Sequence, residues 1–219
     1  MSDNHRFHKN ESYYKRAKNE GYRARSAYKL LDIQKRYNIF KRAFFILDLG
    51  SAPGSWLQVA KRIAEDNLEK YKDLYYHREY YKIMGVDIKS ITPVENVKII
   101  NMDFTTPEFN NEIESFFQDK LDLILSDASI SKIGNKFTDQ IRQINLCYDI
   151  LTLVQKYLKY KGNLVMKAFQ GSDFDKLTKN IKTEFKILKI FKPQSSKKKS
   201  NEIYLLGLQK NNYISCRLD

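Results

Sequence analysis

Short apolar runs alternate along this chain with segments of helical periodicity, and that alternation restricts it to few folds. AFFILDLG (43–50), KIMGVDI (82–88), VKIINMDF (97–104), LDLILSDA (121–128) and NLVMKAF (163–169) have the length and apolarity of strands buried on both faces. Between them, residues 55–66, about 107–117 and 173–183 carry helical spacing, with Pro107 near the start of the second. The longest such segment places Phe137, Ile141, Ile144, Tyr148, Leu151, Val154 and Leu158 on one face, and Gly162 is expected to end it. Strands that alternate with helices imply right-handed crossovers and a parallel sheet covered on both sides. The last two runs, FKILKIF (185–191) and EIYLLGL (202–208), break the rule. The connection between them, KPQSSKKKSN, is too short and polar for a crossover helix, so they should pair antiparallel. The expected fold class is α/β: a seven-stranded, mostly parallel sheet with an antiparallel last strand and helices on both faces.

The ends of the chain differ from this middle. Residues 1–10 read as a polar tail, and 11–37 as two short helices broken at Gly21. The second should start at an N-cap, Ser26, and turn Ala27, Leu30, Leu31 and Ile33 inward, with Arg25, Lys29 and Arg36 on a wetter side. The organisation is a single domain: a basic N-terminal region, 1–37, the α/β body, 38–210, and a tail, 211–219. The Tyr-rich, charged stretch 66–81 fits no element and reads as a surface insertion.

Composition narrows the chemistry. Of 219 residues, 39 are Lys or Arg and 26 Asp or Glu, a net charge of +13 that calls for a polyanionic partner, nucleic acid first. No apolar run approaches the roughly 18 residues of a membrane span. The two cysteines, Cys147 and Cys216, form no C-x-x-C, which excludes a zinc ribbon or disulfide scaffold and points to a reducing intracellular compartment. None of His5, His8 and His77 sits beside a strand end, so neither a His-dependent nucleophile nor a His-rich metal site is expected. The N-terminal MSDNHRFHKNESYY has no apolar segment of a secretory signal, and its Asp3 and Glu11 argue against an organellar leader.

The strongest local signal is DLGSAPGSW, 48–56, a buried strand running into a Gly- and Pro-containing loop and then a helix. Gly50 and Gly54 would let backbone N–H groups approach a ligand closely, although two glycines and a proline also make ligand-free turns. The spacing is neither that of a dinucleotide fingerprint nor that of a P-loop, which argues against a nicotinamide dehydrogenase. Acidic residues then recur at successive strand ends: Asp48, Asp87, Asp103 and Asp127. A carboxylate ending the second strand can accept both hydroxyls of a ribose, and one ending the third an exocyclic amine. Together they describe a nucleoside-bearing cofactor across the strand ends.

DLGSAPGSW, GVDI (85–88), NMDF (101–104), LSDAS (125–129), VMKAF (165–169), KPQSSKKKSNEIYLL (192–206) and the N-terminal RARSAYKLLDI (23–33) together resemble the FtsJ/RrmJ family, in the family's order over roughly residues 11–208. The resemblance implies a Rossmann-like methyltransferase fold and S-adenosyl-L-methionine as cofactor. It implies methyl transfer to a ribose 2′-hydroxyl of RNA, first of all a uridine of large-subunit ribosomal RNA. The family's catalytic Lys-Asp-Lys-Glu set falls on Lys29, Asp127, Lys167 and Glu202, and its cofactor contacts on Gly54, Trp56, Asp87, Asp103 and Asp127, with Gly50 in the same loop. One departure stands out: the family's Ser-Asp-x-Ala-Pro reads here Ser-Asp-Ala-Ser-Ile, 126–130, without the proline.

A lysine is protonated at neutral pH, but desolvation and nearby positive charge favour its neutral form. Lys167, inside an apolar strand, is therefore the expected general base, with Lys29, Asp127 and Glu202 positioning. Arg23 and Arg25, among the tyrosines Tyr13, Tyr14, Tyr22 and Tyr28, and Lys197, Lys198 and Lys199 in the last hairpin are the expected RNA contacts. No metal is expected. The expected partner is ribosomal RNA or a ribosomal subunit, met by a monomer in the cytoplasm or a mitochondrion. The alternatives are methylation of a tRNA anticodon loop and a non-catalytic RNA-binding assembly factor.

Overall fold

The computed structural model describes residues 13–71, 78–131, 133–171, 173–196 and 200–212. After a helical segment over 13–19, the elements are α1 (Ala27–Tyr37), β1 (Phe45–Leu49), α2 (Ser55–Lys70), β2 (Lys82–Asp87), β3 (Lys98–Asn101), α3 (Glu108–Phe117), β4 (Leu121–Ser126), α4 (Lys136–Tyr157), β5 (Leu158–Phe169), α5 (Phe174–Glu184), β6 (Phe185–Phe191) and β7 (Glu202–Lys210). The seven strands form one sheet in the order β3-β2-β1-β4-β5-β7-β6. The first five are mutually parallel, and β7 runs antiparallel to both β5 and β6. The expected antiparallel hairpin is present, and its second strand lies inside the sheet, between β5 and β6.

The period of two in the strands sorts the core into two layers. Phe45 and Leu47 of β1, with Met84, Ile124 and Leu164, pack against Phe109 and Ile113 of α3 and Cys147 and Ile150 of α4. Ile46, Ile83, Leu123, Val165 and Leu206 pack on the other side against Leu30 and Ile33 of α1 and Trp56 and Val59 of α2. Each fully buried Leu, Ile or Phe contributes about 1.5–3 kcal/mol relative to exposure. Beneath the sheet's lower edge, the buried Asp122 accepts from the N–H groups of Phe44 (2.7 Å) and Phe45 (2.8 Å) and pairs with Lys159.

Several boundaries differ from the sequence expectation. Helix α4 stops at Tyr157, five residues before Gly162. Its last carbonyls are met by the ammonium of Lys210, which donates to Val154, Gln155 and Leu158 at 2.7–2.9 Å. Leu158 then joins the sheet opposite Leu121. Gly162 instead lets the strand pass Leu158, whose Cδ1 would lie 2.7 Å from a Cβ there. Phe137, placed on the apolar face by its spacing, is 64% exposed in the first turn of α4. Ser26 precedes α1 but makes no side-chain cap, because its hydroxyl meets that of Ser55 at 2.7 Å. Of the stretch read as an insertion, 66–70 completes α2 and 72–77 lie outside the described residues.

Candidate active site

The chain runs from β1 outward to β2 and β3, then returns to place β4 on the other side of β1. Ligands of open α/β sheets bind past the strand carboxyl ends at such a reversal. There the β1–α2 loop turns sharply. Gly50 (φ 75°) and Gly54 (φ 104°) occupy the left-handed region, and the N–H groups of Gly50 and Ser51 both reach Val86 O, at 2.9 and 3.1 Å. A Cβ on Gly50 would lie 2.5 Å from the Cα of Ala128, so the loops after β1 and β4 touch only because Gly50 has none.

Asp87 ends β2 and ties this loop to the next. Its Oδ2 accepts from Ala52 N at 2.9 Å and its Oδ1 from Lys89 N at 2.8 Å. Asp103, two residues past β3 and exposed, accepts on Oδ1 from the backbone and hydroxyl of Thr105, at 2.9 and 2.8 Å. These are carboxylates a nucleoside could share at the crevice. Asp48 does not line up with them. It lies inside β1 opposite Gly85 and Leu125, fully buried, and neither carboxyl oxygen has a hydrogen-bond partner among the described residues. Burial pushes its carboxyl up to about 8, with the charges of Asp127 and Asp87 adding to the rise against a pull down from Ser51.

On the other side of β1, four side chains far apart in sequence converge. Lys167 Nζ, near the end of β5, donates to Asp127 O at 2.5 Å and lies 3.2 Å from Asp127 Oδ1. Lys29 Nζ, from α1, is 3.8 Å from the same Oδ1 and 2.8 Å from Glu202 Oε1 at the start of β7. Their side chains are 8% (Lys167), 13% (Lys29), 20% (Asp127) and 17% (Glu202) exposed, so the cluster is sheltered yet open. Two cations and two carboxylates balance, which a sheltered site requires. Lys29 thus leaves the wetter helix face the spacing assigned to it.

A fifth member was not read from the sequence. Tyr204, fully buried on β7 opposite Lys167, donates its hydroxyl to Asp127 Oδ1 at 2.6 Å. Lys29 Nζ sits 5.6 Å from the centre of its ring, and the indole of Trp56 lies 5.8 Å away. Burial first, then the charges of Asp127 and Glu202, hold the phenol well above its ordinary pKa, so it stays a donor. A tyrosine in an apolar strand reads as core; its place opposite Lys167 in an antiparallel pair was the available signal.

The remaining expected residues distribute differently. Trp56 is 2% exposed; its indole N–H donates to Ser26 O at 2.9 Å and it reaches the cluster through Tyr204. Arg23 turns inward: Nη1 donates to Thr92 O (2.5 Å) and Pro53 O (3.3 Å), Nη2 to Pro93 O (2.6 Å). These donors grip the glycine loop and the segment after β2 rather than standing clear for phosphates. Arg25 is half-buried just before α1, and Lys197, Lys198 and Lys199 lie outside the described residues. Of the N-terminal tyrosines, Tyr13 packs tilted and Tyr22 edge-on against the buried Tyr28, with centroids 5.4 and 5.9 Å apart, while Tyr14 is 64% exposed. Among the described residues, no helix is long and apolar enough to cross a membrane.

The family model and the relatives in sequence agree on a methyltransferase. A family model for FtsJ-like methyltransferases matches residues 22–210. A Methanobrevibacter smithii protein called ribosomal RNA large subunit methyltransferase E is 37% identical over 203 residues, covering 91% of this chain and 90% of its own. A Rickettsia bellii protein of the same name is 36% identical, covering 92% and 85%. A crystal structure from Plasmodium falciparum, provisionally assigned as a ribosomal RNA methyltransferase, superposes with a TM-score of 0.71 at 32% identity, covering 86% of this chain and 98% of its own.

Proposed function

The chain belongs to the FtsJ-like methyltransferase family and is an S-adenosylmethionine-dependent RNA methyltransferase, and from that premise we propose that it methylates a ribose 2′-hydroxyl of large-subunit ribosomal RNA. The observation that carries the reading is the meeting of Lys167, Asp127, Lys29 and Glu202 beside the glycine loop. The crevice suits a nucleoside-bearing group: the carboxylates of Asp87 and Asp103 stand at its edge, beside the left-handed turns of Gly50 and Gly54. Bound there, S-adenosylmethionine supplies an activated methyl group. The protein must then align a ribose hydroxyl and take its proton.

In this reading Lys167 first releases its ammonium proton to solvent, and the Nζ lone pair of the neutral amine then takes the proton of the ribose hydroxyl. Asp127 O and Oδ1 hold that nitrogen in place. Tyr204 and Lys29 meet the same Oδ1 of Asp127, and Lys29 is held by Glu202, which accepts from the Ser196 hydroxyl at 3.1 Å. The net charge of +13 provides the attraction to phosphates. The names of the relatives favour ribosomal RNA over transfer RNA as substrate. The test is to incubate the protein with methyl-labelled S-adenosylmethionine and separated large subunits, naked ribosomal RNA and transfer RNA. Label should enter large-subunit RNA as an alkali-resistant 2′-O-methyl nucleotide. Label confined to transfer RNA, or attached to a base, overturns the reading.

A further inference from the structure

The segment after Asp127 lacks the proline of the related pattern, yet it is not left to itself: helix α4 holds it through successive backbone groups. Gln143, fully buried, donates from Nε2 to Ala128 O (3.3 Å) and Lys167 O (3.5 Å) and accepts on Oε1 from Ile130 N (3.2 Å). The adjacent Arg142 donates from Nη1 to Ser131 O (3.0 Å), and one turn earlier the buried Asp139 accepts from Ile133 N (2.9 Å). Ala128 is wedged on its other side against Gly50.

Gln143 differs from the other two residues because it touches both the loop and the main chain of Lys167. A proline at position 130 would fix φ and carry no N–H, so it would need no acceptor. Ile130 carries an N–H, half-buried, and Gln143 Oε1 is the acceptor that meets it. We propose that Gln143 is the positioning residue that takes the place of that proline: it satisfies Ile130 N–H and sets the loop after Asp127 at a fixed distance from the end of β5 that bears Lys167. Since Asp127 and the loop flank the place where the ribose would enter, this register determines how the 2′-hydroxyl meets Lys167. The inference rests on the methyl-transfer reading for its consequence, but the clamp itself does not.

The test is Gln143→Met, which keeps length and burial and removes all three bonds. Amide hydrogen exchange in the cofactor-free protein should show Ile130 exchanging about tenfold faster, the loss expected for one neutral hydrogen bond. With RNA saturating, kcat should fall by a similar factor while KM for S-adenosylmethionine holds. Adding Ile130→Pro to Gln143→Met should restore most of the turnover, whereas Ile130→Pro alone should lower it by leaving Gln143 Oε1 unpaired. Unchanged Ile130 exchange, unchanged kcat, or a deeper loss in the double variant overturns the proposal. If the unmodified protein methylates no RNA, the reading of the reaction fails, and the exchange comparison still decides the clamp.

Discussion

The phenol of Tyr204 and the carboxylate of Asp127 form a 2.6 Å hydrogen bond between β7 and the end of β4, on the same oxygen that faces both lysines. Tyr204→Phe removes the bond and keeps the ring against Trp56 and Lys29. A hydrogen bond to a charged group contributes about 1.5–3 kcal/mol, so turnover should fall roughly tenfold or more if that energy is expressed in alignment. Calorimetric affinity for S-adenosylhomocysteine should hold. A Tyr204→Phe enzyme with wild-type turnover would remove the phenol from the site.

Lys167 is tested by keeping its charge. Arginine cannot give up its proton at ordinary pH, so Lys167→Arg separates a base from a positioning cation. Turnover should drop by roughly 10²–10⁴-fold, the range for general base catalysis, in a protein that still binds cofactor and RNA. Retained turnover in single-turnover assays would assign Lys167 a purely electrostatic role.

Asp48 makes stability depend on pH. In the folded protein its carboxyl keeps its proton up to about pH 8. The unfolded chain releases it near the ordinary value of about 3.9. Between these values the unfolded state binds fewer protons, so stability must fall as pH rises, by about 1.4 kcal/mol per unit at most. Below that window the contribution is complete; above about 8 it is lost. Urea titrations at pH 5, 6, 7 and 8 should show this slope, and Asp48→Asn should flatten it. Equal slopes for both proteins would mean that Asp48 is not the responsible group.

Asp87 already holds two backbone N–H groups, so its removal should act on the cofactor through both direct contact and loop order. Asp87→Ala should weaken S-adenosylhomocysteine by about 1.5–3 kcal/mol. Unchanged calorimetric affinity would place the cofactor elsewhere.

Arg23 and the lysines 197–199 should separate in a salt titration. Arg23 grips Pro53, Thr92 and Pro93, so Arg23→Met should weaken cofactor binding and leave the salt dependence of RNA binding nearly intact. Neutralising Lys197, Lys198 and Lys199 should do the reverse, because fewer counterions are then released. A slope lowered by about one for Arg23→Met would return that residue to the RNA surface.

Much of this was legible in the chain because strand and helix periods are local. The seven strands, the reversed β7 and the break at Gly21 all follow from spacing within a dozen residues. What escaped is long-range. The end of α4 is decided by Lys210, more than fifty residues away. Arg23 reads as a cation in sequence, and only the fold brings three carbonyls to it. Lys29 reads as one more solvated lysine until β7 delivers Glu202 beside it. The four motif-matched residues came from resemblance; Tyr204, inside the segment 192–206 but given no role there, and Gln143, outside every matched segment, came only from pairing and contact.

The place of β7 has a further consequence for how the protein is made. This strand, the last in the described chain, has to enter between β5 and β6, both synthesised before it. Until it does, β5 has an open edge and Asp127 lacks Tyr204, Lys29 lacks Glu202. A nascent chain emerging from the ribosome can therefore assemble the glycine loop and its neighbouring carboxylates early, but it acquires a complete reacting centre only once β7 has joined the sheet.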